Sequence, residues 1–275
     1  MNNLDQEHHE KHVVPWQQAD FRFYEELNDF LIPDKRKKSF QHLFKGNPAI
    51  KDVIESLGVP HTEVDLVLVN GQSVSFAYTL KAGDRISVFP TFESLDISSV
   101  TKLRAEPLRE PKFILDVHLG KCARYLRLLG FDSLYENNYT DPEIVRIALD
   151  QKRIILTRDL GLLKIKNVTH GYWVRSKTPA EQVPEILQRF DLYAMMKPFQ
   201  RCTTCNGLIV KTPKEAVLAV LKPNTKKHFK NFSRCLGCGK VYWKGSHYHQ
   251  MKRFVDSILS IKPAPKGPGH NCLKK

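Results

Sequence analysis

Two short apolar runs in the middle of the chain end in an acid: Phe113-Ile114-Leu115 before Asp116, and Ile154-Ile155-Leu156-Thr157 before Arg158 and Asp159. Each is the length of a buried strand. Between them Leu119, Cys122, Ala123, Leu126 and Leu129 recur at spacings of three and four, which predicts a helix with one core face. A second helix is announced by Thr140-Asp141-Pro142-Glu143, a Thr-x-x-Glu capping box. A further strand is expected at Gly171 to Val174, and Thr178-Pro179-Ala180-Glu181 opens another helix to about Phe190. Strands alternating with helices imply a parallel sheet with right-handed crossovers. Every strand of such a sheet points one way, so Asp116 and Asp159, at strand ends, fall on one rim, where ligands bind. Asp141 joins them because it opens the helix that follows one more short strand, expected between the two helices. Three carboxylates at one rim suggest a site for a divalent cation. Asp141 has a second reading, a first-turn acid that complements the helix dipole, and Asp159 could simply cap the turn at Leu160-Gly161.

Ahead of this region the pattern changes. Residues 1–18 are polar, include His8, His9 and His12, and are expected to form a disordered tail without an apolar signal core. From residue 19 to 98 a strand beginning Phe21-Arg22-Phe23-Tyr24, with a partner over Lys38 to Leu43, precedes a helix expected to start at Asn47-Pro48 and stop at Gly58. Val64 to Val69 reads as a strand, Asn70-Gly71 as a hairpin turn, and Arg85 to Phe89 as the last strand. Residues 99–111 form a charged linker with two prolines.

Composition matters mainly through its distribution. The net charge is +14, yet residues 1–200 hold 27 basic and 27 acidic side chains, while 201–275 hold 16 and 2. A basic block confined to one segment points to a polyanion partner, most simply nucleic acid. Lys121, Arg124 and Arg127 recur every third residue on the first helix of the parallel-sheet region, either as a solvated stripe or as phosphate contacts. Four of the six cysteines form two Cys-x-x-Cys pairs, Cys202/Cys205 and Cys235/Cys238, with 29 residues between them. Two such knuckles indicate a structural zinc ribbon, and the long gap leaves room for a helix over Pro213 to Val220. Cys122 reads as a buried small hydrophobe, and Cys272 lies in a basic flexible tail over 260–275. Tyr242 and Trp243 lie among the basic residues, beside Lys244, and could stack on unpaired bases. No run of about 20 apolar residues occurs, so no membrane partner is expected, and a cytoplasmic protein is the default.

Two resemblances follow. Residues 19 to about 92 resemble the β-grasp fold of the ubiquitin-like sulfur carriers of the ThiS/MoaD type. Those carriers act through a C-terminal Gly-Gly, whereas here the last strand runs into Pro90-Thr91-Phe92, so carrier chemistry is not expected and a docking or stabilising module remains. Phe113–Asp116, the run LGKCARYLRLLGFD from Leu119 to Asp132, Thr157–Asp159 and Tyr242–His247 together resemble the PIN-like RNase domain family named after the C-terminal region of the Mut-seven exonuclease, with its fused zinc ribbon. The resemblance covers about Pro111 to Leu259 and implies an α/β chain: a β-grasp module, a PIN-like three-layer domain at 112–197 and a zinc ribbon at 198–259. It implies a metal-dependent ribonuclease in which Asp116, Asp141 and Asp159 hold Mg²⁺ or Mn²⁺ and Arg158 neutralises a phosphate oxygen. The cysteines hold Zn²⁺, and Lys121, Arg124, Arg127, Tyr242, Trp243 and Lys244 meet RNA. Asp132 and Glu143 are candidates for a fourth acid. The rival readings are a catalytically silent RNA-binding protein and an adaptor that recruits a protein partner through the β-grasp module.

Overall fold

The structure is a computed structural model that describes residues 14–90, 101–103 and 111–261. Residues 1–13 of the tail expected over 1–18, residues 91–100, residues 104–110 of the linker, and residues 262–275 of the basic tail, including Cys272, lie outside the described residues. The chain divides into two compact units, residues 1–107 and 108–275.

The first unit contains β1 (Trp16–Phe23), β2 (Phe40–Lys45), α1 (Ile50–Ser56), β3 (Val64–Val69), β4 (Gln72–Ser73) and β5 (Arg85–Pro90). The sheet order is β2-β1-β5-β3-β4, with β1 parallel to β5 and the remaining pairs antiparallel. This is the mixed sheet of a ubiquitin-like β-grasp. Strand β1 alternates, so Ala19, Phe21 and Phe23 are buried while their neighbours face water, as period-2 patterning requires. Asn70 and Gly71 both take positive φ, 51° and 83°, the geometry of the tight turn that joins β3 to β4. Three local expectations shift. Strand β1 begins at Trp16, inside the stretch expected to be disordered. Helix α1 is capped at Ala49 rather than Asn47, because the Ile50 and Leu80 amides bond Tyr78 and Pro48 carbonyls and hold residues 48 and 49 extended. The start of the expected linker is docked: Thr101 Oγ1 donates to the Asp65 carbonyl at 2.5 Å, and Leu103 packs on the core.

The second unit opens with β6 (Phe113–Leu115), α2 (Gly120–Leu128), β7 (Ser133–Leu134), α3 (Asp141–Asp150), β8 (Ile154–Thr157), α4 (Leu160–Leu163), β9 (Gly171–Trp173) and α5 (Pro179–Arg189). Its sheet runs β7-β6-β8-β9, all parallel. Side-chain alternation sorts the two faces. Phe113, Leu115, Ile154 and Leu156 meet α2 and α5, whereas Ile114 and Ile155 meet α3 and α4. Helices thus cover both faces, and the sheet's near-continuous apolar strands follow from that.

Then come β10 (Ile209–Thr212), α6 (Pro223–His228), β11 (Phe232–Cys235), β12 (Val241–Tyr242) and α7 (Ser246–Ile261). The helix expected over Pro213 to Val220 is a 3₁₀ stretch at Glu215–Val220, followed by α6. Helix α7 places Val255 and Ile258 in the same core as α2 and α5. The ribbon is therefore an insertion before the last core helix of the parallel-sheet domain, not a separate module after residue 197. No helix among the described residues is long and apolar enough to cross a membrane.

Candidate functional site

The strand order of the parallel sheet reverses between β6 and β8: from β6 the chain moves out to β7, then crosses back to β8. Such a reversal leaves a crevice at the carboxyl ends of the two strands, because the helices that follow them go to opposite faces. Asp116 follows β6 and Asp159 lies two residues beyond β8, so both fall on the carboxyl edge of the sheet beside this switch point. Asp141 starts α3 on the same edge, after β7.

Asp116 is 4% exposed, and three donors hold it. Its Oδ1 accepts from the His118 amide at 2.8 Å, and its Oδ2 accepts from the Thr157 hydroxyl and from the Arg158 amide at 2.9 Å. The Thr157 oxygen in turn accepts from the Asp159 amide at 2.8 Å. One network therefore ties the two strand ends together, and it leaves one lone pair on Oδ1 free of these donors. Asp159 is exposed and caps α4, its Oδ1 accepting from the Gly161 amide at 2.7 Å. Asp141 is exposed in the first turn of α3, behind the capping box in which Glu143 bonds the Thr140 amide and hydroxyl, each at 2.8 Å.

These carboxylates do not form a ready cage. Among the described residues, the four ribbon cysteines are the group whose ligand atoms all lie within 4.8 Å of one another. The other acids are committed to the fold. Asp132 bonds Arg153 at 2.7 Å and Asn206 at 2.8 Å, with Arg201 at 3.4 Å. Burial pushes its carboxyl up, but the hydrogen bonds from Arg153 and Asn206 and the two positive charges outweigh that and lower it. Asp132 is held by these partners, whereas Glu143 commits only Oε2, to the capping box at the start of α3.

Two arginines also depart from expectation. Arg158 directs Nη1 at the carbonyls of Val174 and Arg175, both at 3.1 Å, and of Ser176. It ties the end of β9 to the end of β8, so this nitrogen is not turned toward a substrate phosphate. Arg127 is 3% exposed and donates to the carbonyls of Ser133 (2.7 Å), Thr204 (2.8 Å) and Tyr135 (3.3 Å). It is a buried bridge from α2 to the first cysteine knuckle, not an RNA contact. Helical phase explains the split: Lys121 and Arg124 stay exposed, while a second step of three residues rotates Arg127 toward the ribbon.

The cysteine site is built locally. Cys202 lies 3.6 Å from Cys238 and Cys205 lies 3.4 Å from Cys235, sulfur to sulfur. These separations are far too long for disulfides and close to the roughly 3.8 Å edge of a tetrahedron with Zn–S bonds of about 2.3 Å. The Gly237 amide donates to the Cys235 sulfur at 3.3 Å. A Cβ at Gly207 would sit 2.9 Å from the same sulfur, so the loop needs glycine there. Burial pushes the Cys202 thiol up, yet the Tyr242 hydroxyl and the Thr204 and Cys205 amides pull it down to about 6, toward the thiolate that binds metal. The donor set and spacing fit Zn²⁺. Tyr242 thus spends its hydroxyl on Cys202, at 3.0 Å, while Trp243 packs beside Phe229 and Phe232 and stays partly exposed.

Helix α7 was not anticipated, although Tyr248, Met251, Val255 and Ile258 recur at helical spacing. Thr157, the hinge of the Asp116 network, gave no comparable signal.

Residues 16–96 match the family described as Mut7-C ubiquitin. No curated protein and no solved structure matches the chain. Residues 111–255, more than half of the chain, match the model described as Mut7-C RNAse domain, which covers the parallel sheet, its acidic crevice and the cysteine ribbon together, and the chain belongs to that family.

Proposed function

We propose that the protein is a metal-dependent ribonuclease that hydrolyses RNA phosphodiester bonds at the crevice between β6 and β8. The observation that carries this reading is the position of Asp116 and Asp159 at the switch point of a parallel sheet, joined through Thr157. Asp116, Asp159 and Asp141 would hold Mg²⁺ or Mn²⁺, hard cations that favour oxygen. Mg²⁺ sites commonly use one or two carboxylates and complete the shell with water and substrate phosphate, so an open rim suits an ion that is retained with its substrate. The bound cation would supply an activated water and offset charge at the phosphodiester. The chain's own part is orientation: His118, Thr157 and Arg158 donors fix the Asp116 carboxylate, and the Gly161 amide fixes one oxygen of Asp159. Zn²⁺ in the ribbon would be structural. The exposed face of β1 and β2, with Trp16 and Leu43, would serve a protein partner, and a cytoplasmic setting is consistent with the cysteine pairs.

A catalytically silent RNA-binding protein is the second reading, favoured by the structural use already made of Asp116 and Asp159. Cleavage of mixed RNA with Mn²⁺ decides between them. Mn²⁺-dependent cleavage that falls at least about a hundredfold in Asp159→Asn supports the nuclease. No cleavage by the wild-type chain with either Mg²⁺ or Mn²⁺ leaves the silent reading.

A further inference from the structure

Two grooves flank the ribbon's last strand, and they share a wall. The first, about 770 Å³, runs between β10, β11 and α7; the second, about 500 Å³, runs between α2, β12 and α7. Tyr242, Trp243 and Tyr248 line both, so an aromatic partition separates them. Five lysines and arginines line the first and three the second, and neither has an Asp or Glu in its lining. That one-sided charge contrasts with residues 1–200 as a whole, which hold 27 basic and 27 acidic side chains. The second groove includes Lys121 and Arg124, the two exposed members of the α2 stripe, facing Lys240 of the ribbon. Lys121 lies one residue inside α2, whose first turn adjoins the Asp116 turn. Lys121 is thus the groove residue nearest in the chain to Asp116, five positions away.

We propose that these paired grooves form one composite seat for single-stranded RNA, with unpaired bases against the Trp243–Tyr248 partition and the backbone along Lys121, Arg124, Lys240 and Lys244. The proposal deepens the ribonuclease reading by naming the substrate class, and it assigns α2 and α7, not the ribbon alone, to binding. Single strands suit this surface because an unpaired base offers a π-face to an aromatic side chain, whereas a duplex hides its bases in the stack. Trp243 is 38% exposed, with one edge packed near Phe229 and Phe232, so part of its ring is open. Lys244 lies 5.8 Å above the Tyr248 ring, which places a cation beside a stacking face. An acidic peptide would meet the charges but has no use for the aromatic partition.

The test is binding of a fluorescent oligouridine to the full chain across a salt series, without added divalent cation so that cleavage does not interfere. Lys121→Gln with Arg124→Gln removes two exposed charges and no packing. The log–log salt slope should become shallower by about 1.4, from roughly 0.7 per phosphate on single strands, and affinity at 0.1 M salt should fall about 25-fold. Trp243→Leu should weaken oligouridine roughly fivefold or more while leaving the salt slope unchanged. Its thermal unfolding should stay near wild type; if it unfolds, Tyr248→Leu is the replacement. An unchanged slope in the double variant would overturn the proposal. So would equal binding of duplex RNA, or competition by polyglutamate as effective as by RNA. Because binding is read apart from cleavage, tight oligouridine binding without any Mn²⁺-dependent cutting would sink the nuclease reading alone, and cutting with an unaltered slope would sink this one alone.

Discussion

The ribbon cysteines and the crevice carboxylates are both candidate metal centres in one folding unit, and they are built in opposite ways. Four sulfurs are brought within 4.8 Å of one another by two tight loops, and the loops serve that purpose down to a glycine that clears a sulfur atom. The three carboxylates are brought to one edge by sheet topology, and each already serves the fold: Asp116 joins two strand ends, Asp159 caps α4, and Asp141 sits in a capped first turn. The first centre is a closed donor set that two local loops converge on one point. The second is a polar rim whose ion would be held jointly with substrate. That difference sets how each should respond to mutation.

The largest effect belongs to the ribbon. Structural zinc contributes on the order of 10 kcal/mol to folding a small domain, so Cys235→Ser should lose the metal and unfold residues around β10 to β12. Because α7 returns to the core of the parallel-sheet domain through Val255 and Ile258, the damage should reach that core as reduced thermal stability. Elemental analysis and hydrogen exchange check both parts. A variant that loses zinc but keeps native protection in the ribbon would break the contrast.

Arg127 comes next, because it couples the two regions. Arg127→Met would keep much of the volume but leave the Ser133, Thr204 and Tyr135 carbonyls without their donor. The buried Ser133 carbonyl left without a donor costs about 1–3 kcal/mol and the two part-buried carbonyls less, so the total loss should be on the order of 3 kcal/mol in denaturant unfolding. Arg127→Lys should recover little, since a point charge cannot reach three carbonyls as a planar fork does. Full rescue by lysine would show that only the charge matters.

Much of this division is visible in the sequence, and what is not visible has a physical cause. The Cys-x-x-Cys pairs encode a local loop, so spacing alone reveals them. The β6 and β8 acids are legible because short apolar runs ending in Asp mark strand ends. Arg127 misleads because a stripe at every third residue drifts around a helix of 3.6 residues per turn; only the tertiary position of the ribbon decides which member is buried. Asn47-Pro48 misleads for a similar reason, since a backbone bond from Leu80 to Pro48 holds that stretch extended. Thr157 and Asn206, which tie Asp116 and Asp132 to other segments, act over 41 and 74 residues of chain, a distance no local pattern records.

Asp116 and Asp159 sharpen the contrast within the crevice. Asp116→Ala leaves the Thr157 hydroxyl and the Arg158 and His118 amides without their acceptor, and should cost about 2–3 kcal/mol as well as activity. Asp159→Ala removes only an exposed cap and should cost about 1 kcal/mol while abolishing cleavage. Chemical denaturation paired with the Mn²⁺ cleavage assay separates the two. Equal destabilisation by both would mean the rim is one structural network rather than a site.

Asp132 gives a pH-dependent effect of similar or smaller size. Its folded-state carboxyl is lowered, chiefly by hydrogen bonds from Arg153 and Asn206 that outweigh burial. A lowered folded value means the stabilisation is present above the unfolded value near 4 and is lost as pH falls through the folded value. Asp132→Asn should therefore narrow the stability difference between pH 5 and pH 3 relative to wild type. An unchanged acid limb in the variant would show that other carboxylates govern acid unfolding.

The smallest effect is expected at Asp141, and it decides whether the rim has two acids or three. Exposed and in the first turn of α3, Asp141 complements the positive end of the helix dipole, an interaction of about 0.3–1 kcal/mol. The Thr140–Glu143 capping box is independent of it and should keep α3 in place when Asp141 is changed. Asp141→Asn removes the charge but keeps the shape, so stability should fall by no more than about 0.5 kcal/mol. If Asp141 contributes to the cation, the variant should need more Mn²⁺ for half-maximal cleavage, and raising Mn²⁺ should restore much of the rate. A helix-end acid alone would lower stability slightly and leave the Mn²⁺ titration where it was, and that outcome would reduce the rim to Asp116 and Asp159.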